Sequence, residues 1–336
     1  MKKIGIIGSG TWGTALAKLL YGNGHSVMVW SAIDAEIESL NTTHIHPNLK
    51  GVVIPSGVVF TSDVKAVCAD KDLIVCAVPS VYVRSSFAKC APFIEKESFI
   101  VSVTKGIEES TLSTMTEIIE DELKKAGTLV PVVALSGPTH AEEVARNLAT
   151  TIVAACEDLT MARRVKQIFS NDYFKVFGST DRKGVELCGA LKNIIALAAG
   201  ISDGLGFGDN AKAAIITRGM AEVSYLGSKM GCTQHTFFGL SGIGDMIVTA
   251  TSRHSRNNNC GRLIGSGIKA QDAIKEIGMV VEGVNVLPAA IKMEKFYNVK
   301  LPIIDAVNEI VNNNGNAKEV AKNLLSLPAT REFRIL

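Results

Sequence analysis

With 336 residues, 47% of them hydrophobic and 20% charged, the chain has the composition of a soluble globular protein, and it is long enough to bury large cores in two domains rather than one. Its formal net charge of +2 offers no field suited to nucleic acid, so a charged substrate has to be met by local groups. Seven cysteines, odd in number and without a C-x-x-C pair, fit reduced thiols in a cytoplasm. The start runs from Lys2-Lys3 directly into an apolar strand and a glycine loop, without a leader's cleavage site, and no apolar run reaches the roughly 20 residues of a membrane helix. Neither a signal peptide nor stable membrane insertion is therefore expected.

In chain order, β-branched runs at residues 3–7, 26–30, 58–60, 73–78, 99–104, 132–135, 151–155 and 174–177 read as strands. Amphipathic segments at 11–21, 34–40, 81–89, 111–125, 140–146 and 159–169 read as the helices between them. Alternation of this kind predicts an α/β fold with a Rossmann-like doubly wound sheet of parallel strands. From about Asp181 the strand signals stop and alanine-rich segments of helical period take over. The expected division is a dinucleotide-binding domain over 1–180 and an all-helical substrate-binding domain over 181–336, with a boundary near 178–183 where turn formers and charges interrupt the apolar pattern.

Gly8-Ser9-Gly10-Thr11-Trp12-Gly13 follows the first predicted strand and opens the first helix. At this spacing Gly8 permits a tight turn, Gly10 lets the backbone approach a pyrophosphate, and Gly13 allows close packing, with the phosphates at the helix N-terminus. The second strand ends in Ser31-Ala32-Ile33-Asp34, where such a site often carries an acid for the ribose hydroxyls or a base for a 2′-phosphate. Asp34 can be a ribose ligand or equally the cap of a helix starting at Ala35, so NAD against NADP stays open. Pro79, after the fourth strand, either fixes the backbone beside a cofactor or simply starts a helix.

Lys192 lies in an apolar stretch, residues 187–201, shared only with polar Asn193. Its helical neighbours Cys188, Ile195, Ala196 and Ala199 are apolar or small, so the ammonium leaves water with little compensation. Desolvation pulls such a pKa toward neutrality, which suits a general acid and base, whereas a snorkelling lysine is the plainer alternative. His44-Ile45-His46 looks like a metal pair but lies before Pro47 without a cluster of further ligands, and no metal is expected. The cysteines lack a base partner for nucleophilic catalysis.

The loop and its continuation Thr14-Ala15-Leu16-Ala17 resemble the NAD(P)-dependent glycerol-3-phosphate dehydrogenase family of bacterial type. So do Ser102-Val103-Thr104-Lys105-Gly106-Ile107, Leu135-Ser136-Gly137-Pro138-Thr139-His140-Ala141, Ala190-Leu191-Lys192-Asn193, Gly239-Leu240-Ser241-Gly242-Ile243-Gly244-Asp245, Ser255-Arg256-Asn257 and Val281-Glu282-Gly283. This ordered series spans nearly the whole chain and is far more specific than the glycine loop alone.

The resemblance implies a helical half of the 6-phosphogluconate dehydrogenase C-terminal type. It also implies reversible hydride transfer between NAD(P)H and C2 of dihydroxyacetone phosphate, yielding sn-glycerol 3-phosphate for phospholipid synthesis. Hydride arrival at a ketone creates an alkoxide that needs a proton donor within reach. By the same resemblance Lys192 is that acid and base, Lys105 meets substrate and coenzyme, and Asp245 orients Lys192 or the substrate hydroxyl. Asp245 could otherwise be a helix cap, and Lys105 a solvated strand end. Ser255, Arg256 and Asn257 form the phosphate clamp, for which a guanidinium fork is suited. Asn193, Gly137 and Thr139 complete the substrate set, and Ala141, Arg256, Val280 and Glu282 join Gly8 to Gly13 around the coenzyme.

The chain departs from the family pattern at Ser31 and Ala32, where a base is common, and at Asn258-Asn259-Cys260, where basic and aromatic residues are frequent. A homodimer is the expected assembly. Another two-domain hydroxyacid or hydroxyacyl-coenzyme A dehydrogenase, separated by the phosphate-binding Arg256, and a non-catalytic nucleotide sensor are the competing readings.

Overall fold

The computed structural model describes residues 1–328. They form two compact units, Met1–Lys105 with Thr114–Arg182, and Gly106–Ser113 with the residues from Lys183 onward. The segment Gly106–Ser113, expected in the first domain, thus packs with the helices. Ile107 is buried in the helical core and Leu112 lies against it.

The first unit holds one eight-stranded sheet, β1 (Lys3–Ile7), β2 (Ser26–Trp30), β3 (Val59–Thr61), β4 (Leu73–Cys76), β5 (Phe99–Ser102), β6 (Val132–Ser136), β7 (Thr150–Ala155) and β8 (Phe174–Ser179), in the order β3-β2-β1-β4-β5-β6-β7-β8. Ile4, Ile6, Leu73, Val75, Phe99 and Val101 pack into the core on one face. Ile7, Ile74, Cys76 and Ile100 pack into the core on the other. Burial on both faces is why these strands read as unbroken apolar runs rather than alternating ones.

Neighbouring strands are parallel with one exception: β7 runs antiparallel to β6, pairing Leu135 with Ala154. The intervening helix, Ala141–Ala145, has only 5 residues and advances roughly 8 Å, about half the length of a strand. It does not return the chain to the starting edge of the sheet, so β7 leaves from the end at which β6 arrives. The short helix Val64–Cys68, absent from the sequence reading, starts where the Asp63 side chain accepts from the Ala66 amide at 3.1 Å. The helix expected from residue 111 begins at Met115, behind a Thr114/Glu117 capping box.

Apart from the irregular segment Gly106–Ser113, the regular elements of the second unit are all helices among its described residues, with long helices Arg182–Gly204, Gly208–Lys229 and Glu282–Phe296. Arg182–Gly204 corrects the sequence expectation about apolar runs, because it is long and apolar enough to cross a membrane by length and composition. Its most apolar stretch is entirely buried within the structure. The helix Arg256–Gly265 crosses it at backbone contact. A Cβ on Gly200 would stand 2.1 Å from the Asn258 carbonyl oxygen, and one on Gly261 would stand 2.2 Å from that of Leu197. Two facing glycines therefore set how near Asn193 on one helix comes to Asn257 on the other.

Candidate active site

The glycine loop has the conformation its spacing predicts. Gly8 has φ +116°, outside the reach of ordinary side chains, and a Cβ there would also strike the backbone of Ala77 and Val78. A Cβ on Gly13 would lie 2.0 Å from the Gly8 carbonyl oxygen, so this glycine closes the turn on itself. Around Gly10, in contrast, a Cβ would meet nothing within 4 Å. The residue precedes the 12-residue helix Thr11–Gly22, whose first amides point out of the loop. Open space over a helix N-terminus fits the pyrophosphate of a dinucleotide. Trp12 packs on the sheet core, and Thr11 accepts at Oγ1 from the Asn48 side-chain amide at 3.3 Å.

At the end of β2 the structure brings in a residue that the sequence reading missed. Glu36 Oε2 accepts from Ser9 Oγ at 2.6 Å and from Ser31 Oγ at 2.7 Å. Asp34 does not cap the following helix; it is the first helical residue, exposed, behind Ile33. Distance along the chain could not separate the two, since Asp34 and Glu36 both lie about 20 residues past the glycine loop, where the usual ribose partner stands.

At the sheet's carboxyl edge Lys105 Nζ donates to the Gly137 carbonyl at 3.2 Å. Thr139 Oγ1 donates to the same oxygen at 3.1 Å. Two of the expected substrate residues therefore share one acceptor, which belongs to a third. Ala141 opens the short helix just beyond them.

In the helical unit Lys192 is 5% exposed, Asp245 1% and Thr249 5%. The Lys192 ammonium donates to Asp245 Oδ1 at 2.6 Å and to Thr249 Oγ1 at 2.5 Å, and Thr249 Oγ1 donates to the Asp245 carbonyl at 2.7 Å. The expectation of little compensation for this buried ammonium is thus corrected by partners that lie 53 and 57 residues later in the chain. Asp245 opens the helix Asp245–Thr251 without capping it, and its carboxylate is spent on the lysine. Thr249 escaped the sequence reading although it lies one helical turn beyond Asp245.

The next residue on the long helix, Asn193, accepts at Oδ1 from the Asn257 amide at 3.0 Å. Asn257 Oδ1 in turn accepts from the Gly283 backbone amide at 2.9 Å, beside Glu282. Glu282 starts the helix Glu282–Phe296 and accepts from Asn285 Nδ2 at 3.3 Å, while Val280 is half-buried just before it. Ser255 caps the helix Arg256–Gly265 by accepting from the Asn258 amide at 3.2 Å. Arg256 is exposed, and its guanidinium makes no hydrogen bond or ion pair with any described residue; its planar fork of donors has the chemistry to meet an anion. Among the described residues no group of three histidine, cysteine or acidic side chains could hold a metal.

Family models describe the same two parts. That of the NAD-dependent glycerol-3-phosphate dehydrogenase N-terminus matches residues 3–162, and that of the C-terminus matches residues 181–322. Glycerol-3-phosphate dehydrogenase [NAD(P)+] 2 of Lactobacillus delbrueckii subsp. bulgaricus is 54% identical over 327 residues, covering 97% of both chains. The Bacillus subtilis glycerol-3-phosphate dehydrogenase [NAD(P)+] is 44% identical over 337 residues, all of this chain and 97% of its own. Among solved structures, glycerol-3-phosphate dehydrogenase from Coxiella burnetii superposes with a TM-score of 0.92 at 32% identity, over 97% of this chain and 99% of that one. With both halves matched and the likeness running nearly end to end, the chain belongs to the NAD-dependent glycerol-3-phosphate dehydrogenase family.

Proposed function

We propose that this protein is an oxidoreductase that interconverts dihydroxyacetone phosphate and sn-glycerol 3-phosphate with a nicotinamide coenzyme, the sheet unit binding the coenzyme and the helical unit the substrate. The observation that carries the reading is the buried Lys192–Asp245–Thr249 triad beside Asn193 and Asn257, in a chain whose other half holds an open glycine loop. When bound, the reduced nicotinamide supplies the hydride that reaches C2 of the ketone. The part of Lys192 is to protonate the resulting oxygen and, in the reverse direction, to accept that proton. Asp245 and Thr249 hold the ammonium in one place, so little reorganisation is needed as charge develops.

Arg256 has the chemistry of a phosphate clamp. Ser255 contributes the cap of a helix whose N-terminus adds its dipole, and Asn193 and Asn257 offer amides. Lys105, with Gly137 and Thr139, is assigned to substrate, and Lys105 also to the coenzyme. Gly8 to Gly13, Ala141, Arg256, Val280 and Glu282 complete the coenzyme assignment. A place in the cytoplasm is supported by seven buried cysteines, none in a disulfide. The homodimer and the supply of glycerol phosphate for phospholipids rest on family membership.

Coenzyme oxidation tests the reading. The protein is expected to oxidise reduced coenzyme with dihydroxyacetone phosphate, and to lose at least about a hundredfold in kcat/KM with dihydroxyacetone, which leaves the phosphate site unfilled. Equal rates with the two ketones would remove the phosphate from the recognition.

A further inference from the structure

Coenzyme preference is decided where the adenosine ribose lies, and in this fold that is the end of β2 beside the glycine loop. Three features meet there. The Glu36 carboxylate is held by Ser9 from the loop itself and by Ser31 from the strand end, both through Oε2. Its second oxygen, Oε1, takes no hydrogen bond from any described residue. Ser9 and Ser31 are 3% and 5% exposed, so the carboxylate is pinned by buried hydroxyls rather than swinging in solvent.

Positive charge is missing from the same place. The run Ser26 to Glu36 contains no lysine or arginine, and neither does Val59 to Asp63, which adjoins it. The Ser31 amide donates to the Thr61 carbonyl at 3.1 Å, and Trp30 Nε1 donates to that of Ser62 at 3.1 Å. Alongside, the buried His46 is held below the ordinary histidine range by its burial and brings no cation at neutral pH.

We propose that Glu36 makes this protein select NADH over NADPH, its pinned carboxylate accepting from the ribose 2′-hydroxyl of the one and repelling the 2′-phosphate of the other. The inference rests on the coenzyme reading given above. A 2′-hydroxyl can donate to Oε1, whereas a 2′-phosphate brings a second anion to a carboxylate that cannot turn away without breaking two short hydrogen bonds.

The test is equilibrium binding without substrate, following nicotinamide fluorescence or heat as NADH and NADPH are titrated separately. The wild-type protein is expected to bind NADH at least about tenfold more tightly than NADPH. In Glu36→Gln, whose amide can still meet both serines, the ratio is expected to fall to within about threefold. Ala32→Arg, at an exposed position, is expected to tighten NADPH and leave NADH nearly unchanged. Equal wild-type affinities would overturn the selectivity alone, as would an undiminished ratio in folded Glu36→Gln. Binding of neither coenzyme would overturn the nucleotide site itself and the selectivity with it. Should Glu36→Gln not fold, the wild-type ratio and Ala32→Arg decide the matter, and failure of either expectation counts against it.

Discussion

Lys192 shows how a single buried charge is made usable. Its ammonium has lost water, but Asp245 and Thr249 replace it with two oxygens one helical turn apart on the same short helix. Removing one partner of such a pair leaves the other uncompensated, at a cost of about 3–5 kcal/mol in general experience. Lys192→Ala is therefore expected to lower kcat by at least about a hundredfold and to lower thermal stability as well, with coenzyme affinity preserved. Asp245→Asn keeps an oxygen for the lysine and should lose less stability. Near-normal turnover in folded Lys192→Ala would take the lysine out of the proton transfer.

Among elements, the crossing of Arg182–Gly204 with Arg256–Gly265 matters most, because it carries Asn193 toward Asn257 and fixes the start of the helix behind Arg256. The contact is backbone on backbone, and no flexible side chain can give way. Gly261→Ala places a methyl group against the Leu197 carbonyl oxygen and is expected to destabilise the protein by at least about 1 kcal/mol despite the better helix propensity of alanine. Gly22→Ala is the control, since a Cβ there meets nothing within 4 Å. Denaturant unfolding of both variants checks this; equal stability would mean that the helices separate freely. That this half is alanine-rich and helical was legible in the sequence, whereas the lengths of these helices were not read from it. That two glycines face each other across them was not, because the pairing joins residues about sixty positions apart.

For the whole molecule, the helical unit contains an apolar cavity of about 910 Å³, lined by Ala198, Ile201, Tyr225, Ile303 and Ile310 among others and by none of the assigned site residues. Glu222 reaches it, and burial pushes its carboxyl up to about 8. The Ile303 and Ile304 amides, which donate to it at 2.9 and 3.4 Å, act against that rise, as does Arg218, whereas Asp305 adds to it. An acid whose folded pKa lies above its unfolded value binds its proton more strongly in the native state. Its contribution is present at low pH and fades as pH rises through the window from about 4.5 to about 8. Wild-type stability is expected to decline across that window, and Glu222→Gln to flatten the decline. Melting temperatures taken at half-unit steps of pH check it, and parallel curves would place the titration elsewhere.

The sequence by itself determined the α/β sheet followed by helices, the glycine loop and most of the residues assigned to the site. The sheet, the helices and the loop depend on local period or on a spacing with a fixed stereochemical purpose, whereas most of the site residues were legible only through resemblance to the family. Tertiary structure alone decided which groups meet. It reversed β7, because a 5-residue helix cannot carry the chain back across the sheet. It gave Lys192 the partners that its own helix lacks, and it set Glu36 rather than Asp34 against the loop. Contacts between segments far apart in the chain depend on how elements pack, and no local pattern of residues encodes that distance.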